Sequence, residues 1–229
     1  MKREGLLQIL LHESDRKGLF GRLIFEDVVR YLWRSGAPGV TVYRSEEGLD
    51  KQGHIQNMHS EYMSEQLPIK VEVFANQEEL QDIMEHLHKE IQDARGQAFM
   101  VPEAWNVKQE DWRGENPEMQ NDSLLKVFMK EEDEYNGTPL YHAFVRELQK
   151  LDIQWVNVIR ALEGFGQDHV IRKTKMFQFA NHSPVVLEAV LSASKVHQTL
   201  ETLKPFIQAA SGPAILLSGN LVASPAGKG

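Results

Sequence analysis

The chain contains itself twice. Val40-Thr41-Val42-Tyr43-Arg44 returns as Val156-Asn157-Val158-Ile159-Arg160, a shift of 116 residues. The same shift carries Glu47-Gly48 onto Glu163-Gly164, Pro68 onto Pro184, Glu72 onto Glu188 and Gly96 onto Gly212. Near the start the shift is 118, taking Leu6–Leu11 onto Leu124–Met129, so the first copy holds two extra residues ahead of its first helix. A constant shift across such distant landmarks marks a tandem duplication, and a repeat constrains a fold more than any local pattern. It divides the chain into a first domain at 1–107, a linker at 108–122, a second domain at 123–223 and a tail at 224–229. The linker has no apolar period and holds five acids with Gly114 and Asn116-Pro117.

Composition narrows the class. At 229 residues and 41% hydrophobic, the chain has enough apolar material for two cores. No apolar run approaches the ~18 residues of a membrane span, and the N-terminal apolar stretch is too short for a signal peptide. The absence of cysteine removes disulfides, thiolate metal sites and thiol nucleophiles. With 25 basic against 33 acidic residues the net charge is −8, which opposes nucleic-acid binding. The expectation is an acidic cytoplasmic protein, not embedded in a membrane.

Each copy reads as strand, helix, strand, strand, helix, strand. Phe25, Val28, Val29, Leu32 and Trp33 recur at helical spacing before Gly36, and Leu140, Phe144, Val145, Leu148 and Leu151 do so behind Thr138-Pro139, read as an N-cap and first helical residue. Asn76-Gln77-Glu78-Glu79 resembles a capping box opening the second helix, and its counterpart carries Pro205 inside, where a kink is expected. Short last strands are expected at Ala98–Val101 and Ala214–Leu217, with extensions at Trp105–Val107 and Leu221–Val222. This order gives two tandem ferredoxin-like plaits, an α+β fold with antiparallel sheets and both helices on one face. Val185–Leu191 is apolar on both faces, which calls for further cover by oligomerisation.

Strand, helix, Val-x-Val-x-Arg-x-x-Glu-Gly, long loop and Pro-x-x-x-Glu occur at Gly39–Gly48 with Pro68–Glu72, and again at Trp155–Gly166 with Pro184–Glu188. In these segments the chain resembles the PII-like "domain of unknown function 190" family, and the two copies cover nearly all of it. The resemblance implies trimers similar to PII signalling proteins, with an adenine nucleotide or other anionic metabolite in clefts between domains. It also implies a long loop, the T-loop, that contacts a protein partner such as an enzyme or transporter. Gly164-Phe165-Gly166 matches the start of that loop, where glycines let backbone N–H groups approach an anion. The first copy has Gly48-Leu49-Asp50 there, and Asp50 opposes a phosphate. The turns Arg95-Gly96-Gln97 and Ser211-Gly212-Pro213 are shorter than the phosphate-contacting loop of PII proteins.

Candidate ligand residues are therefore Gly164, Phe165, Gly166, Arg160, Arg172, Lys173 and Lys175, with Arg44 and Gly48 in the first copy. Loop 45–66 is acidic and loop 161–182 basic, which reads either as two recognition surfaces or as solvated loops that drifted apart. Arg44 and Arg160 suit a bidentate anion contact and equally a pairing with Glu47 and Glu163 or with a neighbouring subunit. Glu72 and Glu188, charged within apolar strands, are read as paired across a sheet or interface, with catalysis the minority reading. His54 and His59 lie in a loop; His86 and His88, two apart on a helix, do not share a face. No hydrolase, zinc-protease or Walker motif occurs, so the reading is a regulator and not an enzyme. A ligand-free structural adaptor is the alternative, followed by a metal-binding protein.

Overall fold

The computed structural model describes residues 4–18, 21–49, 55–57, 67–94, 96–108, 121–153, 155–166, 170–173 and 183–219. The first copy runs β1 (Glu4–His12), α1 (Ile24–Arg34), β2 (Val40–Arg44), β3 (Glu47–Leu49), β4 (Ile55–Asn57), β5 (Pro68–Asn76), α2 (Gln77–Asp93) and β6 (Gln97–Asn106). The second runs β7 (Asp122–Lys130), β8 (Glu134–Tyr135), β9 (Thr138–Pro139), α3 (Leu140–Lys150), β10 (Val156–Arg160), β11 (Glu163–Phe165), β12 (Arg172–Lys173), β13 (Pro184–Leu191), α4 (Ala193–Ala209) and β14 (Ala214–Gly219). The α+β class and the βαββαβ order of each copy stand.

By contacts the chain forms two units that do not follow the repeat. Unit 1 takes residues 1–102 together with 160–184, and unit 2 takes 103–159 with 185–229. In unit 1 the strand order is β6-β1-β5-β2-β11-β12, antiparallel at β1–β5, β2–β5, β2–β11 and β11–β12. In unit 2 it is β10-β13-β7-β14-β6. Strand β6 runs through Pro102, the last residue of unit 1, and its Trp105 and Asn106 pair with Leu216 and Ile215 in unit 2.

The core of unit 1 lies between one sheet face and α1 and α2. Ile9, Val42, Val71 and Leu80 are fully enclosed there, and Phe165 from β11 joins them. Leu125, Leu187, Leu200 and Phe144 form the equivalent core of unit 2. Strand alternation puts Gln8, Tyr43, Lys70 and Glu72 on the sheet face away from the helices.

Local chemistry explains the joints. Asn76 caps α2 by accepting from the Glu79 N–H at 2.9 Å, the first half of the capping box. Helix α4 lacks such a cap from Ser192; Asp122 of β7 accepts from the Ala193 N–H at 2.8 Å instead. It continues through Pro205 to Ala209. Asp15 and Asp133 are paired by the shift of 118, and their carboxylates accept from the N–H of His12 at 3.2 Å and of Lys130 at 3.0 Å. Their carbonyls accept from the first helical N–H, Ile24 or Leu140, both at 2.7 Å.

One joint corrects the sequence expectation. Thr138 is not an N-cap, and Pro139 is not the first helical residue. Pro139 is itself the N-cap, with ψ 128, and Thr138–Pro139 pairs with Glu134–Tyr135. Asn136 and Gly137, at φ 51 and 74, make the two-residue turn, and that hairpin holds the proline extended. Among the described residues the first copy has only the Arg16–Leu23 bridge in the same place, which is where its two extra residues fall. The expected extension at Leu221–Val222 lies outside the described residues.

Candidate functional site

The segment that enters unit 1 from the second copy begins at Arg160. The Ala161 N–H donates to the Pro184 carbonyl at 2.9 Å, and the Leu162 N–H donates to the Val42 carbonyl at 2.7 Å. Strand β11 then lies along the outer edge of β2, with Glu163, Gly164 and Phe165 opposite Val42, Thr41 and Val40. Phe165 is buried in the unit 1 core, and Glu163 is 4% exposed. A Cβ on Gly164 would stand 2.6 Å from the Val40 carbonyl oxygen and 3.2 Å from the Pro184 ring, so a side chain is excluded by the neighbouring strand. Gly166 has nothing within 4 Å of that position. Across the hairpin the backbone register sets Arg172 opposite Gly164 and Lys173 opposite Glu163, and the Arg172 Nη1 donates to the Val170 carbonyl at 3.0 Å.

The structure thus brings Gly164, Phe165, Gly166, Arg172 and the backbone of Lys173 together on one hairpin at the edge of β2. Arg44 lies two residues beyond Val42 on β2, and its Nε donates to the Glu13 carboxylate at 2.7 Å. Arg160 is exposed at the end of β10. Lys175, His54, His59 and the alternating Met176–Phe179 lie outside the described residues.

Gly48 repeats the arrangement of Gly164. Its Cβ would stand 2.5 Å from the Pro68 ring, and the Ser45 N–H donates to the Pro68 carbonyl at 3.0 Å. The Glu-Gly and the later proline of each copy are therefore one clasp, in which a proline ring lies where a side chain would be. Sequence reasoning assigned the glycine to an anion and missed the proline; the recurrence of Pro68 at Pro184 was the available signal. Gly96 and Gly212 have a similar explanation. Cβ atoms there would stand 2.7 Å from the Leu10 carbonyl and 2.6 Å from the Phe128 carbonyl, which are equivalent positions.

Two buried charges, one in each copy, are paired within their sheets. Glu72 is 2% exposed, and it accepts from the Gln8 Nε2 and the Tyr43 hydroxyl at 2.8 Å each. Lys70 sits 3.0 Å from the same carboxylate and over the Tyr43 ring. In the second copy Glu188 meets Lys126, itself 2% exposed, at 3.0 Å. Paired charges inside a sheet of this kind act on the specificity of packing. In unit 2, Lys108 donates to the Ala210 carbonyl at the end of α4. Burial lowers its pKa, and the charge of Asp133 opposes that fall. Among the described residues no group of three or more His, Asp or Glu is placed to hold a metal. No helix among them is long and apolar enough to cross a membrane. His86 stacks on Tyr31, whose hydroxyl pKa is raised by burial and by Asp82.

Comparison with known families decides the relationship. The family model of DUF190, "Uncharacterized ACR", matches residues 5–102 and again 122–216. The chain belongs to the DUF190 family. A UPF0166 protein of Aquifex aeolicus is 32% identical over 81 residues, covering 35% of this chain and 77% of the relative. Among solved structures, CPII from Thiomonas intermedia K12, a nitrogen regulatory PII-like protein bound to ADP, AMP and bicarbonate, is 18% identical. It covers 42% of this chain and 82% of its own, with a TM-score of 0.34. The regulatory subunit of aspartate kinase from Thermus thermophilus is 10% identical over 90% of this chain and 93% of its own, with a TM-score of 0.39. Both DUF190 copies in this chain carry the proline–glycine clasp.

Proposed function

We propose that this DUF190 protein is a PII-like, non-catalytic regulator, assembled as three chains, that senses an anionic metabolite and signals to a protein partner through its long loops. An adenine nucleotide is the first ligand to test. The observation that supports the reading is the hairpin on β2. Gly166 faces open space directly after a strand anchored by Phe165, and Arg172 stands across from Gly164. An anion at that place would meet a backbone amide, with a guanidinium on the neighbouring strand of the same hairpin. The loop beyond it is bounded by the Pro184 clasp, so ordering at its base would pass into the loop.

Thermal denaturation with ATP, ADP and AMP tests this reading. Ligand at 100 times its dissociation constant adds about 2.7 kcal/mol to the stability of the native state. Gly166→Asp should abolish the shift by placing a like charge beside the phosphate, where a Cβ has open space. A shift that survives Gly166→Asp and grows with Asp50→Gly, the matching position of the first copy, would reverse the choice of copy. The adaptor reading has its own support: Gly164 is required by the Val40 carbonyl and the Pro184 ring with no ligand involved. No shift with any nucleotide, together with slow amide exchange in both loops of the free protein, would favour it.

A further inference from the structure

We propose that the outer edge of β10 is completed by the Glu47–Leu49 segment of a second copy of this chain. β2 and β10 are the same strand of the repeat, yet their edges differ. On β2 the edge carries β11, and Val40, Thr41, Val42 and Tyr43 are all buried. Among the described residues β10 is the outermost strand of unit 2; Val156–Ile159 are half-buried, and Trp155 just before them is 46% exposed. The counterpart of β11 is β3, which pairs with β4 in a two-stranded sheet of its own. One chain thus makes the strand-to-edge junction once and carries both halves of a second, equivalent junction in separate sheets.

The duplication fixes the register of the missing junction. Moving the β2–β11 pairing by 116 residues sets Glu47 opposite Val158, Gly48 opposite Asn157 and Leu49 opposite Val156. β3 is presented for this in the same way as β11. Both hang from the following strand by a glycine under a proline ring, Gly48 under Pro68 and Gly164 under Pro184. Both are also the first strand of a hairpin, with β4 or β12 as the second. An open edge offers a row of backbone donors and acceptors to another chain, and a half-buried apolar edge offers it most strongly. The contact is heterologous, unit 1 of one chain to unit 2 of the next, so repeating it closes a ring when the rotation permits.

Cross-linking tests the register. The chain has no cysteine, so only introduced thiols react. Glu47→Cys with Val158→Cys should give disulfides between chains under mild oxidation, while either single variant gives no such ladder. The pair Val42→Cys with Glu163→Cys is the control and should close within one chain. A folded Glu47→Cys/Val158→Cys protein that stays reduced, or that closes within one chain, would overturn the proposal. A measurement on the unmodified chain stands beside it should the variants fail to fold. The amides of Val156 and Val158 should exchange as slowly as those of Val40 and Val42 at tens of micromolar protein, and at least tenfold faster after dilution to monomer. Fast exchange at both concentrations would overturn it as well. Light scattering separates this from the three-chain reading: an oligomer lacking the Glu47–Val158 cross-link keeps the assembly and discards this junction.

Discussion

The two copies of one sequence unit meet the same structural problem in different ways. In the first copy the outer strand is covered, and the buried Glu72 is shared among Gln8, Tyr43 and Lys70. In the second copy the outer strand is an edge among the described residues, and the equivalent Glu188 meets Lys126, which stands where Gln8 stood. Position 90 carries Glu90 bonded to Lys17, whereas its counterpart Phe206 packs on Tyr135 and Phe144. What stayed constant is backbone-determined: the aspartate turns at Asp15 and Asp133, and the clasps of Gly48 and Gly164. What changed is how each sheet treats its edge and its charges. Backbone joints tolerate little substitution, whereas a polar cluster can be rebuilt by compensating changes.

That contrast can be broken most forcefully at Phe165. This residue belongs to the second copy but fills the unit 1 core, so Phe165→Ala should cost about 3–5 kcal/mol, read as a fall in the urea midpoint. A loss below about 1 kcal/mol would mean that β11 does not hold unit 1 together. Next comes the buried charge. Lys126→Met should cost about 3 kcal/mol because it strands Glu188, and adding Glu188→Leu should recover most of it. The matching change Gln8→Met should cost only about 1 kcal/mol, since Tyr43 and Lys70 still hold Glu72. Equal losses at the two sites would erase the distinction between the clusters.

The smallest effect is at Glu90. Its pKa is lowered, first by a hydrogen bond from its own backbone N–H and then by Lys17, against the opposing effect of burial. A depressed carboxyl contributes stability above its unfolded pKa and loses it as pH falls through the folded value. Glu90→Gln should therefore remove a small acid-side dependence and leave the rest of the pH profile unchanged. The Phe206 position carries no charge, so unit 2 offers no parallel loss. Urea titrations at neutral pH and near pH 3 make the comparison.

The regular elements were readable from periodicity. Val40–Arg44 has the same limits in sequence and structure, and Asn76 caps α2 as its side chain allows. Several features were not read. The Asn136-Gly137 turn was passed over in favour of a proline rule, although Asn-Gly is the stronger local signal. β6 was read as a short strand at Ala98–Val101 with an extension at Trp105–Val107, whereas the structure runs one strand from Gln97 to Asn106. Arg44 was given an anion or Glu47, and the structure joins it to Glu13, a residue that strand pairing brings near and sequence distance conceals. The placement of Glu163–Phe165 on β2 had no signal at all. Three residues carry no period, and their partner lies some hundred positions earlier, a pairing that local propensity does not encode.

The passage of Arg160–Pro184 into unit 1 has a consequence for any attempt to dissect the molecule. The repeat boundary and the folding boundary are different places in the chain. A piece holding only residues 1–107 would present β2 bare and a hollow where the Phe165 ring belongs. A piece holding only 123–223 would carry β11 with its aromatic residue and nothing to lay it on. Each half contains every element of the plait, yet each should be less stable alone than within the chain. Mixed together, the two pieces should reassemble, each supplying the strand or the bed that the other lacks.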